Sequence, residues 1–156
     1  MTSIQAKKND TYSHICGGSV INKKFILSAA HCFDSIQLSD LRCVFGTADL
    51  DYSTPERKEI KIEEIILHPK YKGTSYFDIA LVKLKEDLDF NDAISPICIP
   101  DLPTLDVNHR VHHATTLTGW GATEKHGQTS PILRKGQLTI FATKYCNALG
   151  CFKLIK

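Results

Sequence analysis

His31 sits where this chain could support proton-transfer chemistry. It follows Phe25-Ile26-Leu27-Ser28-Ala29-Ala30 and precedes Cys32, and Cys16 opens the same stretch ahead of Gly17-Gly18-Ser19-Val20-Ile21. An imidazole titrates near neutrality, so a histidine held in one orientation can take and return a proton at working pH. Cys32 could close a loop back to Cys16 and pin the imidazole in that way. Taken alone, His31 also reads as a core histidine with one satisfied nitrogen. Asp78 is the carboxylate in the most telling place, because it opens the apolar run Ile79-Ala80-Leu81-Val82-Lys83-Leu84. A carboxylate buried there needs a partner. The plainer alternative makes it a turn residue at a strand edge.

These two residues must be positioned by strands. Ser19-Val20-Ile21 and Phe25-Ile26-Leu27 flank the polar Asn22-Lys23-Lys24, a β-hairpin pattern, and Ser28-Ala29-Ala30 supplies a small turn that packs closely on a core. Further strands are expected over 2–6, 12–21, 41–46, 115–120 and 133–141. Residues 59–68 alternate, with Ile60, Ile62 and Ile65 among charged neighbours, and residues 78–84 are too apolar for an edge strand. Residues 47–57 form a loop, and 94–107 have no periodicity and read as a linker. Thr143 could cap a short helix. Many short strands with almost no helix predict an all-β barrel or sandwich.

Composition narrows the function classes. The chain has 156 residues, 42% hydrophobic and 23% charged, which suits one soluble globular domain. A net charge of +2 argues for neither a nucleic-acid nor an anionic-membrane partner, and no apolar run approaches the length of a membrane span. Six cysteines (Cys16, Cys32, Cys43, Cys98, Cys146, Cys151) show no C-x-x-C or other zinc spacing, so disulfides in an oxidising compartment are expected. Residues 1–14 carry no signal-peptide core, which implies an incomplete N-terminus for a secreted chain. Asn9-Asp10-Thr11 is a glycosylation sequon of the kind that chance often supplies.

Five motifs occur in one order: Cys-Gly-Gly-Ser-Val-Ile at 16–21, Leu-Ser-Ala-Ala-His-Cys at 27–32, Asp-Ile-Ala-Leu-Val-Lys-Leu at 78–84, Pro-Ile-Cys-Ile-Pro at 96–100 and Thr-Gly-Trp-Gly at 118–121. This set resembles the chymotrypsin/trypsin-like family of serine endopeptidases over about residues 2–146. The resemblance implies two six-stranded β-barrels with the active site in the cleft between them. It implies a first barrel over about 2–93, a crossover linker over about 94–114, the start of an incomplete second barrel over about 115–146 and a divergent tail over 147–156. It further implies His31 as general base, Asp78 as the carboxylate that orients it, and a Cys16–Cys32 disulfide. An imidazole activates a serine hydroxyl only in the right tautomer, which a carboxylate on the other ring nitrogen enforces. Protein or peptide substrates, protease inhibitors as partners, an extracellular location and no cofactor or metal are the corresponding expectations.

The departures limit this reading. The family's nucleophile lies in Gly-Asp-Ser-Gly-Gly, and these residues contain no such stretch; Ser19, Ser28 and Ser130 stand in other contexts and read as structural. The same stretch supplies the oxyanion hole. The Ile-Val-Gly-Gly terminus and the aspartate that pairs with it on activation are also missing, and the specificity pocket falls outside these residues. Without a nucleophile the chain is expected to be an inactive piece of a peptidase, with a non-catalytic homologue that binds or regulates as the alternative and a chain without function of its own as a third. Cys98 matches the position that ties some relatives to a propeptide; it is read as free or paired with Cys43. Asp49, Asp51, Glu56 and Glu59 lie where some relatives hold calcium, but Thr47 replaces a ligand glutamate, so a solvated acidic loop is expected. His112, His113 and His126 read as exposed loop residues.

Overall fold

Alternation of period two gives each strand an apolar and a polar face, and six such strands close on one another around their apolar faces. The computed structural model describes residues 1–99, 111 and 113–141. Its strands are β1 (Thr2–Lys8), β2 (Thr11–Val20), β3 (Phe25–Ser28), β4 (Leu41–Phe45), β5 (Lys58–Leu67), β6 (Ala80–Leu84), β7 (Ala114–Gly119) and β8 (Arg134–Thr139). The first six form a closed antiparallel barrel in the order β1-β2-β3-β6-β5-β4, with β4 returning to β1. β7 and β8 pair antiparallel from Ala114↔Thr139 to Gly119↔Arg134 and form a separate two-stranded sheet. The fold is therefore all-β, with one closed barrel and a second, partial sheet, as the sequence predicts. The unit built on the barrel comprises Met1–Cys98 and Trp120–Leu133; β7 and β8 belong to the other.

The barrel interior is what the alternation dictates. Leu41, Cys43 and Phe45 of β4, Ile60 and Ile62 of β5, and Ala80, Val82 and Leu84 of β6 meet Ile4, Val20 and Ile26 in one core. Each such large aliphatic side chain gains about 1.5–3 kcal/mol on burial. Register irregularities between Ile4 and Gln5 and between Ile62 and Glu64 are bulges that help a small barrel bend. The β1–β2 turn uses Asn9 and Asp10 at φ 49° and 64°, the left-handed pair that a two-residue hairpin needs. In the β2–β3 turn, Asn22 Oδ1 accepts from the backbone N–H groups of Lys24 and Phe25, both at 2.8 Å. Gly46 ends β4 at φ 69°, and a Cβ there would stand 2.2 Å from the Glu56 carbonyl oxygen, so only glycine fits.

Residues 120–133 strap the barrel unit. Leu50 N–H donates to the Pro131 carbonyl at 2.9 Å, and Trp120 Nε1 donates to the Ala48 carbonyl at 3.2 Å. Trp120 is buried, with its ring tilted against His14 at 5.8 Å. The loop between β4 and β5 is held by Arg57, whose guanidinium donates to the Leu50 and Tyr52 carbonyls and pairs with Glu59. A side-chain cation thus already meets the carbonyls of the acidic loop.

The differences from expectation lie at boundaries. β6 begins at Ala80 rather than Asp78. The expected helix near Thr143, the divergent tail and most of the 94–107 linker lie outside the described residues, as do His112, Cys146 and Cys151. Cys43 and Cys98 are both free thiols, so the open choice between a free and a paired Cys98 resolves to free. Burial pushes the Cys43 thiol up to about 12 against a hydrogen bond with Thr2 that lowers it, leaving it protonated and inert. Alkylation of the native chain followed by mass mapping is therefore expected to modify the exposed Cys98 and spare Cys43 until the barrel is unfolded. Equal labelling of both in the native state would contradict this core.

Candidate active site

The histidine turn grows directly out of β3. Ser28 closes the strand and its hydroxyl donates to the Gly17 carbonyl at 2.9 Å. Ala29 is still extended, and Ala30–Phe33 then form one turn of 3₁₀ helix. Ala30, Cys32 and Phe33 of that turn point into the core, which leaves the His31 side chain outward and 61% exposed. A Cys16–Cys32 disulfide with Cα atoms 6.2 Å apart ties the turn to β2. In the chain-entropy picture, closing a loop of this size stabilises the fold by about 3 kcal/mol. Asp34, just after the turn, accepts from the Tyr71 hydroxyl at 2.7 Å.

The carboxylate arrives from the neighbouring strand by a sharper route. Phe77 adopts φ 56°, rare for an aromatic residue, and the Ile79 N–H donates to the Phe77 carbonyl at 2.8 Å. That kink lifts Asp78 out of line with β6. The Phe77 ring stacks on His68 at 4.9 Å with planes 10° apart, and the His68 N–H donates to the Ile79 carbonyl at 3.1 Å. Strained positions of this kind cost on the order of 1–3 kcal/mol and persist where surroundings hold them. Neither Phe77, His68 nor Tyr71 is marked by any sequence motif; phenylalanine in particular carries no preference for the left-handed region, so only the structure reveals the kink.

Asp78 and His31 meet through two atoms on the histidine side, the backbone nitrogen and Nδ1. Asp78 Oδ1 accepts the His31 backbone N–H at 2.8 Å, and Asp78 Oδ2 lies 2.7 Å from His31 Nδ1. The Asp78 side chain is 24% exposed, a correction to the buried carboxylate the sequence predicts: its partners hold it at the rim, where partial solvation replaces full burial. Desolvation pushes its carboxyl up, but the backbone N–H of His31, the His31 ring, its charge and the Ala30 N–H outweigh that and hold it below the ordinary carboxylate value. A carboxylate on Nδ1 selects the Nδ1–H tautomer, which leaves the Nε2 lone pair able to take a proton, on the side of the ring where Cys32 Sγ lies 3.9 Å away.

The remaining residues picked out from the sequence lie apart from this pair. Ser28 and Ser130 donate to the Gly17 and Ile132 carbonyls. Ser19 pairs with Leu27 in the short β2–β3 ladder. His113 and His126 are exposed. A second serine–histidine contact, Ser3 Oγ to His14 Nδ1 at 2.7 Å, is unsuited to hydrolysis because Ser3 is fully buried. Burial lowers the His14 pKa, which keeps that ring neutral.

A family model described as Trypsin matches residues 1–151. The chain is 31% identical over 140 residues to serine proteinase stubble of Drosophila melanogaster, covering 88% of this chain and 17% of the relative. It is 34% identical over 152 residues to transmembrane protease serine 9 of Rattus norvegicus, covering 96% and 14%. It is 33% identical over 145 residues to clotting factor G beta subunit of Tachypleus tridentatus, covering 90% and 46%. The chain thus spans less than half the length of these relatives.

The Asp78 contacts carry a pH signature. A carboxyl held below its ordinary value stabilises the fold above that value, about 3.9, and the contribution disappears as pH falls through the folded pKa. Asp78→Asn replaces an acceptor facing N–H donors with an amide, and is expected to cost roughly 1–2 kcal/mol near neutrality after allowance for partial exposure. In urea melts from pH 7 to pH 3, the gap between wild type and D78N should be flat above about pH 5 and shrink in acid. A gap that persists undiminished at pH 3 would contradict the assigned hydrogen bonds.

Proposed function

Since this chain belongs to the trypsin family of serine proteases, we propose that His31 is the general base of a serine endopeptidase and Asp78 its orienting carboxylate. The observation that carries this reading is the double contact of Asp78 with His31, at 2.8 Å to the backbone and 2.7 Å to Nδ1. With Nδ1–H donated to the carboxylate, Nε2 can take the proton of an attacking hydroxyl and later give it to the leaving amine. The imidazolium formed in between is stabilised by the fixed negative charge beside it. Substrates on this reading are proteins or peptides, with protease inhibitors as further partners.

The nucleophile has to come from outside these residues. Gly-Asp-Ser-Gly-Gly does not occur in the sequence, and a base without a nucleophile or an oxyanion hole does not turn over. The 156-residue chain by itself is therefore inactive, and the hydrolysis belongs to a protein that adds the missing loop. Extracellular function fits the Cys16–Cys32 disulfide, since such bonds persist in oxidising compartments. Among the described residues no helix is long and apolar enough to cross a membrane.

A fluorophosphonate probe, which reacts with activated serines, tests this division of labour. The folded 1–156 chain is expected to show no labelling at any serine, Ser3 included. Labelling that requires His31, and is lost in His31→Ala, would show that the chain carries its own nucleophile and would overturn the reading.

A further inference from the structure

Cys16, Cys32 and His31 gather three metal-ligating atoms within 4.8 Å of one another. In the oxidised chain the two sulfurs are bonded to each other and cannot act as thiolates. We propose that reduction of the Cys16–Cys32 disulfide turns this corner into a site for zinc or a similar thiophilic divalent ion, with Cys16 Sγ, Cys32 Sγ and His31 Nε2 as ligands and water in the fourth position.

Two independent observations support the site. The first is spacing. With Zn–S bonds of about 2.3 Å and Zn–N bonds of about 2.0 Å, ligand atoms on one tetrahedral zinc stand roughly 3.5–3.8 Å apart. Cys32 Sγ already lies 3.9 Å from His31 Nε2. Once the S–S bond is broken, the sulfurs need only separate to a similar distance, and the two cysteines stay anchored by β2 and by the buried 3₁₀ turn. The second is orientation. A metal-bound histidine nearly always gives its other ring N–H to a carboxylate or carbonyl, which fixes the ring and raises its basicity. Asp78 Oδ2 does this for His31 at 2.7 Å. His31 is thus oriented in the manner of a ligand histidine, with Nε2 directed toward the sulfurs.

The chemistry balances with a water-soluble phosphine as reductant. The phosphine takes oxygen from water and becomes the phosphine oxide, while the two protons of that water convert the S–S bond to two thiols. Each thiol then releases its proton to solvent as it binds the ion. The bound ion occupies the Nε2 lone pair, so the reduced, metal-loaded chain has no free base at His31. This consequence is independent of whether His31 takes part in proteolysis.

Cobalt(II) titration reads the site directly, since tetrahedral thiolate coordination gives intense visible and charge-transfer absorption. The full chain carrying Cys98→Ser, Cys146→Ser and Cys151→Ser removes competing thiols, and Cys43 is buried. After phosphine reduction one cobalt per chain is expected to give the tetrahedral thiolate spectrum, displaced by one zinc, whereas the oxidised chain gives none. His31→Gln should weaken binding at least tenfold, Asp78→Asn by about tenfold, and Cys16→Ser or Cys32→Ser should abolish the spectrum. Because reduction could instead unfold the chain, Cys43 reactivity is followed in parallel. The proposal is overturned if the reduced chain shows no such spectrum, if H31Q binds as tightly as its parent, or if binding appears only once Cys43 becomes reactive.

Discussion

One carboxylate accepting from both the backbone and the ring of one histidine is the interaction on which the site depends. The single contact to Nδ1 would leave the ring free to pivot about its Cα; the second, to the backbone N–H, fixes the residue itself. That geometry exists because of strand register. β3 and β6 pair with Ser28 opposite Ala80 and Leu27 opposite Leu81, so continuing the ladder two steps brings residue 30 opposite residue 78. The two chemically useful residues emerge at the same rim of the barrel as a consequence of that pairing. A slip of one residue would turn Ala80, Val82 and Leu84 away from the core, which makes the register hard to change.

The rest of the corner is arranged to keep this meeting in place. The 3₁₀ turn sends three of its four side chains inward and only His31 outward, so the ring is exposed without its backbone being loose. The disulfide ties the turn to β2, and Phe77, strained and stacked on His68, turns Asp78 toward the histidine. Packing, a covalent cross-link and a local kink thus act on one pair of residues from three sides. The same placement leaves Nε2 3.9 Å from Cys32 Sγ.

Much of the barrel is legible in the sequence because its signals are local. The alternation of Ile60, Ile62 and Ile65, the Asn22-Lys23-Lys24 turn and the Ser28-Ala29-Ala30 corner each fix an element within a few residues. The His31–Asp78 meeting is not local, since it joins positions 47 apart; motif order makes it expected, and geometry makes it visible. What sequence patterns miss are the features set by tertiary context. The start of β6 moves from Asp78 to Ala80 because Phe77 is forced into the left-handed region, and Asp78 is half-buried because its donors lie at the rim. Cys43 looks like one more candidate disulfide cysteine in the sequence, yet it faces the barrel interior as a small apolar side chain.

The most direct test lies in the tautomer of His31. A histidine free in water favours the proton on Nε2, so an Nδ1–H ring has to be imposed by its surroundings. Nitrogen-15 NMR of the imidazole at neutral pH distinguishes the two ring nitrogens. The hydrogen bond to Asp78 predicts that Nδ1 of His31 carries the proton and Nε2 is bare, and that Asp78→Asn removes this preference. A wild-type ring protonated mainly at Nε2, or one unchanged by D78N, would contradict the pairing of His31 with Asp78 on this barrel.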